Sequence, residues 1–120
     1  MRSLSVEHLK IDIENVNDVV EIRWIGELAV RNPKDAVGDY LEKLQGTLRK
    51  QKVCVDFSGF EYMNSASVTV VMQFLRSTSE VAQGVQVKYR PAVQWQKTFF
   101  GAMRVIAKNW NNIDIQGVEN

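Results

Sequence analysis

At 120 residues and 13.7 kDa, with 45% hydrophobic and 24% charged residues, the chain is sized and composed for one ordinary globular core spanning residues 1–120, not for disorder. A formal net charge of +1 lacks the basic excess with which proteins grip a nucleic-acid backbone. One cysteine, Cys54, excludes an internal disulfide, and with His8 as the sole histidine no metal-ligand set is present, so neither metal nor cofactor is expected.

The first element is a strand: Leu9, Ile11 and Ile13 alternate with His8, Lys10, Asp12 and Glu14. After Asn15-Val16-Asn17-Asp18, a turn composition, the alternation resumes in Val20, Ile22 and Trp24, so the two runs are predicted to pair as an antiparallel hairpin. Gly26-Glu27-Leu28 is then expected to lead out of the sheet. Asn32-Pro33 reads as a helix start, with proline at the first helical position and Asp35 in the first turn. Val37, Tyr40, Leu41, Leu44 and Leu48 follow on one apolar stripe. Gly38 and Gly46 each cost such a helix roughly 1 kcal/mol against alanine, so packing must hold it.

Val53 to Phe57 is a nearly continuous apolar run, as in a central strand covered on both faces, with Cys54 buried inside it. Asn64 or Ser65 caps a second helix carrying Val68, Val71, Met72 and Leu75, running to about Gln83, with Gly84 placed to end it. Val85, Val87 and Tyr89 alternate as a strand. After Arg90-Pro91 a third helix places Phe99, Met103, Ile106 and Trp110 on one stripe, and a short last strand is expected at Ile113 to Ile115. The order is β-β-α-β-α-β-α with a possible final strand. Alternating strands and helices imply parallel neighbours joined by right-handed crossovers, an α/β mixed sheet behind an antiparallel hairpin.

No apolar run approaches the ~18 residues of a membrane span, and none follows Met1-Arg2-Ser3 as a secretory leader would. A soluble cytoplasmic protein without membrane insertion is the expectation. Charge is nonetheless uneven: from Val81 to Ile113 stand Lys88, Arg90, Lys97, Arg104 and Lys108 with no carboxylate. A solvated helix face accounts for such a run; the sharper reading is a docking patch for an acidic partner.

Three landmarks together resemble a STAS domain, the fold of bacterial anti-sigma factor antagonists and of the cytoplasmic tails of sulfate transporters. Gly26-Glu27-Leu28 is similar to the family's Gly-Glu-Leu before its first helix. Val55-Asp56-Phe57-Ser58-Gly59 is similar to its hydrophobic-Asp-Leu-Ser strand end. Met63-Asn64-Ser65-Ala66-Ser67 stands where the family has Asp-Ser-Ser-Gly opening the second helix. The resemblance implies a STAS-like mixed sheet with helices packed against it, and a non-enzymatic bacterial signal-transduction module. Its partner would be an anti-sigma factor acting as serine kinase, with a PP2C-type phosphatase reversing the modification. The alternative is a small STAS subunit bound constitutively to a transporter ATPase. Ala29 replaces the aspartate that usually follows Gly-Glu-Leu, Asn64 replaces the aspartate before the serines, and Ala66 occupies the usual acceptor position. Ser65 and then Ser67 are therefore the phosphorylation candidates, Ser65 matching the acceptor of some divergent stand-alone relatives.

The partner-binding surface is expected to comprise Asn64, Ser65, Ser67, Ser58 and Trp95. Hydroxyl and amide side chains at a helix start also serve simply as caps, but a cap needs one, and this segment offers Asn64, Ser65, Ser67 and Thr69. Asp56 and Ser58 lie at a strand's C-terminal end, where turn stabilisation is the favoured reading over ligand binding. Phe99 is expected in the core, with Trp95 or Phe100 reaching the surface as an interface anchor. No catalytic residues are assigned: His8 is far in sequence from Ser65 and Ser67, beside which a Ser-His-Asp arrangement would need it, and no Gly-rich phosphate cradle occurs.

Overall fold

The computed structural model, which describes residues 1–119, builds its sheet outward from the hairpin that the alternation predicts. A short strand β1 (Leu4–Val6) pairs antiparallel with β2 (Leu9–Val16), and β2 with β3 (Val19–Leu28). Asn17 and Asp18 close the β2–β3 turn at φ 51° and 66°. Two consecutive left-handed residues suit a two-residue hairpin, because their twist matches that of the strands. There follow α1 (Pro33–Gly46), β4 (Lys52–Asp56), β5 (Phe60–Met63), α2 (Ser65–Val81), β6 (Gly84–Tyr89), α3 (Gln94–Ile106), a 3-10 turn (Ala107–Asn109) and β7 (Ile113–Gly117). The expected last strand is thus present.

Strand order is β1-β2-β3-β4-β6-β7, with β5 beside the end of β3. The β3–β4, β4–β6 and β6–β7 pairs are parallel, and each step moves the same way across the sheet. Right-handed crossovers in one direction put every helix on one face. Ile11, Ile22, Trp24, Val53, Val55, Val85, Val87, Tyr89 and Ile115 are buried on that face. The other face carries Asp12, Arg23, Asp56 and Lys88 in register, partly exposed and of alternating sign. The apolar run in β4 is therefore covered by helices on one face, not on both as expected. Cys54 points to the charged face yet is 5% exposed, flanked in register by Glu21 and Gln86, and its burial pushes the thiol pKa up.

Gly26-Glu27-Leu28 does not leave the sheet. Gly26 takes φ 93°, and a Cβ there would collide with the His8 carbonyl oxygen. The register shifts between Gly26 and Glu27, so β3 passes from β4 to β5 without ending. Only glycine combines that dihedral with that close approach. His8 lies in the β1–β2 turn and not on the strand, and its carbonyl accepts from the Glu27 N–H at 2.9 Å.

Two helix readings need correction. Helix α2 ends at Val81 with Ala82 extended, and Gly84 opens β6 in place of ending the helix. In α3 the buried stripe is Gln96, Phe100, Met103 and Ala107, one residue round from the expected Phe99, Met103, Ile106 and Trp110. Ile106 is 46% exposed, Phe99 and Trp110 are half-buried, and Phe100 is buried outright. The reason is Gln96: its side chain finds hydrogen-bond partners inside, so the polar position turns inward with its neighbours. Phe100 then stacks on Tyr89 at 5.1 Å and meets Phe57 at 5.0 Å. Trp24 joins that cluster against Phe57, Phe60 and Phe74 at 5.4–5.8 Å, beneath the corner where β5, α2 and α3 converge.

Candidate functional site

The corner is organised by Asn64, the N-cap of α2. Its backbone N–H donates to Leu28 O at 3.1 Å, and its Nδ2 donates to Val30 O at 2.9 Å. Its Oδ1 accepts the Ser67 N–H at 3.0 Å and stands 2.6 Å from Ser67 Oγ, which also faces Leu28 O at 3.0 Å. One amide side chain thus ties the α2 start to the β3–α1 connection. It satisfies one of the N–H groups that a helix start leaves without an internal partner.

Ser65 and Ser67, grouped by their sequence, separate in space. Ser67 is 0% exposed and its hydroxyl is held between Asn64 and Leu28. That corrects the expectation of a surface hydroxyl cluster, since a modifying enzyme cannot reach Ser67 without opening the helix start. Ser65 is exposed at the first helical position, and among the described residues no side-chain hydrogen bond engages its hydroxyl. No acidic residue occupies the first turn of α2, so the positive end of the helix dipole there is uncompensated.

Ser65 stands on the rim of an open groove of 480 Å³ whose walls are Tyr62, Met63, Val68, Trp95, Thr98 and Phe99. The walls are mostly apolar, and Tyr62 is 48% exposed. Trp95 is half-buried: Nε1 donates to Glu61 O at 2.7 Å and the ring meets Phe60 edge-on at 5.6 Å. A larger hollow of 540 Å³ runs between α1 and α2 from Lys34 to Ser77, and Ser65 does not line it.

Ser58 is not brought to this groove. It lies half-buried in the β4–β5 loop, where its N–H donates to Asp56 Oδ1 at 2.9 Å, the turn-stabilising arrangement. That loop is clamped by Gln96, which the sequence reading did not single out. Its Nε2 donates to Phe57 O and Phe60 O, both at 2.7 Å, and its Oε1 accepts the Arg90 N–H at 2.7 Å. The signal available was a glutamine three turns in phase with Phe100, Met103 and Ala107. Tyr62 was missed because β5, four residues long, gives too short an alternation to recognise. Among the described residues no group of three or more His, Cys, Asp or Glu side chains could hold a metal ion. None of the described helices is long and apolar enough to cross a membrane.

No family model matches the sequence, and no curated protein matches it. A solved structure does: an anti-sigma factor antagonist from Mycobacterium paratuberculosis superposes with a TM-score of 0.59 at 18% identity. The match covers 89% of this chain and 87% of that one. The seven strands and three helices described here are therefore a STAS-like fold, and at that identity the likeness is one of fold.

Proposed function

We propose that the chain is a regulatory protein-binding module that holds its partner in the groove beside Ser65 and is switched by phosphorylation of that serine. The observation that carries this reading is the exposed Ser65 hydroxyl on an apolar rim, at a helix start whose first turn carries no acidic residue. Tyr62 and Trp95 offer large apolar surface with a polar tip, the chemistry of interface anchors. A phosphoryl group on Ser65 Oγ adds about −1.5 to −2 charges and a shell of bound water to that rim. A partner that covers the groove would have to strip this water, so modification releases it, and a phosphatase restores binding. The residues of this chain supply contact and charge, and the chemistry of the switch belongs to the partner enzymes. The fold shared with an anti-sigma factor antagonist supports the same reading.

The test is the pair Ser65→Ala and Ser65→Glu, with partner capture from native cells and phosphopeptide mapping. Ser65→Ala is expected to keep the partner and Ser65→Glu to lose it at least tenfold. A carboxylate at the first helical position stabilises α2 by about 0.3–1 kcal/mol, so loss of binding would not reflect unfolding. Equal capture by both variants, or absence of phosphoserine at 65 under every growth condition, would overturn the switch.

A further inference from the structure

We infer that the outer face of α3 is a second docking surface, built for an acidic helical segment of a protein partner. This inference stands apart from the reading of Ser65. Lys97, Gly101, Arg104 and Lys108 follow at i, i+4, i+7 and i+11, so they form one stripe running from α3 into the 3-10 turn. The three cations are exposed, and among the described residues none of them is in an ion pair. Arg104, Lys108 and Trp110 line a hollow of 260 Å³ against β7. Asp114, the carboxylate in that hollow, accepts from Gln116 Nε2 at 2.6 Å and pairs with neither cation.

Two shape features accompany the charge. Gly101 interrupts the stripe inside the helix, where glycine weakens a helix relative to alanine, and nothing lies within 4 Å of where its Cβ would stand. The notch therefore serves no packing within the chain and lets another backbone approach closely. Beside it Val105 is 72% exposed, more than any other large hydrophobic among the described residues. A complementary helix would set carboxylates against Lys97, Arg104 and Lys108, with a small apolar side chain over Gly101 and Val105. A lipid surface fits less well. Among the described residues only Val105 and Ile106 are exposed large hydrophobics on α3, two side chains at its last turn with cations on one flank, whereas membrane-surface helices present a broad apolar face.

The experiment titrates the isotope-labelled full chain with a synthetic 16-residue helical peptide carrying Glu at i, i+7 and i+11 and alanine at i+4 among alanine and leucine, followed by amide chemical shifts. Shifts are expected to cluster on Lys97–Lys108 and Asp114. Binding should weaken at least tenfold in the combined Lys97→Glu, Arg104→Glu, Lys108→Glu variant and at least fivefold in Gly101→Leu, while Ser65→Glu leaves it unchanged. A matched peptide with Gln for Glu, tested on the unaltered protein, should also bind at least tenfold more weakly, whatever the folding of the variants. The inference is overturned if shifts scatter over Arg23, Lys52 and Lys88, if poly-glutamate binds as well as the patterned peptide, or if the Gln peptide binds equally. It is likewise overturned if phosphatidylglycerol vesicles shift the α3 amides and the peptide does not, which would assign the face to a membrane.

Discussion

Asn64 and Ser65 are adjacent and chemically alike, yet the fold gives them opposite roles. Asn64 is engaged at Nδ2 by Val30 and at Oδ1 by Ser67, whereas Ser65 makes no such contact. Removing the cap takes the Val30 carbonyl's partner and one of the two acceptors of the Ser67 N–H, the Asn64 carbonyl remaining at 3.0 Å, so Asn64→Ala is expected to cost about 1 kcal/mol. Ser65→Ala should stay within about 0.5 kcal/mol of the parent, as surface substitutions do. Urea unfolding of both variants measures the difference. An equal cost at both positions would make Ser65 a structural residue and remove it as a switch. The sequence narrowed this cap to Asn64 or Ser65 and located the hydroxyl cluster after it, because capping is a local property. It did not separate Ser65 from Ser67, since the carbonyl that seals Ser67 belongs to Leu28, 39 residues away.

At the scale of elements, α3 shows how a single buried polar side chain sets the rotation of a helix. An all-apolar stripe through Phe99 and Ile106 was the local preference, but Gln96 in its place satisfies two carbonyls and one N–H from the β4–β5 and β6–α3 connections. Its alignment buries Phe100 and leaves the flank of Trp95 and Phe99 facing the groove. Gln96→Ala would take this partner from the Phe60 carbonyl and the Arg90 N–H, while Phe57 O keeps the Phe60 N–H at 2.9 Å, at an expected cost of about 2 kcal/mol. Hydrogen exchange at the Arg90 amide should accelerate in parallel. A loss under about 1 kcal/mol, the range of an ordinary single hydrogen bond, would show that water or a neighbour replaces the amide and that Gln96 does not clamp the corner. Strand β5 belongs to the same scale: it forms because Gly26 shifts the register of β3, an event in another part of the chain.

The molecule as a whole has helices on one face of its sheet and charged side chains on the other. Cys54 and Tyr40 are the groups whose burial disfavours ionisation. Both pKa values lie above their ordinary 9.0 and 10.0, and Tyr40 also donates its hydroxyl to Arg2 O at 2.6 Å. The unfolded chain therefore gives up these protons first. It binds fewer protons than the folded chain through the alkaline range, so stability falls as pH rises. Unfolding free energy is expected to be flat with respect to these two groups below pH 9.0 and to decline above it. Cys54→Ala should remove part of that decline, and a pH series of urea midpoints reads it directly. A slope unchanged by Cys54→Ala would mean that the thiol ionises equally in both states.

The hairpin, the three helices, the strands at Val53–Phe57, Val85–Tyr89 and Ile113–Ile115, and a cap at Asn64 or Ser65 were set by the sequence alone, because period, turn chemistry and capping act over a few residues. Folding in three dimensions decided which face of α3 is inside, whether β3 ends at Gly26, which serine meets solvent and where the apolar groove lies. Each of those outcomes turns on satisfying a buried polar group, or avoiding a collision, with an atom contributed from a distant stretch of chain, and no local pattern carries that information.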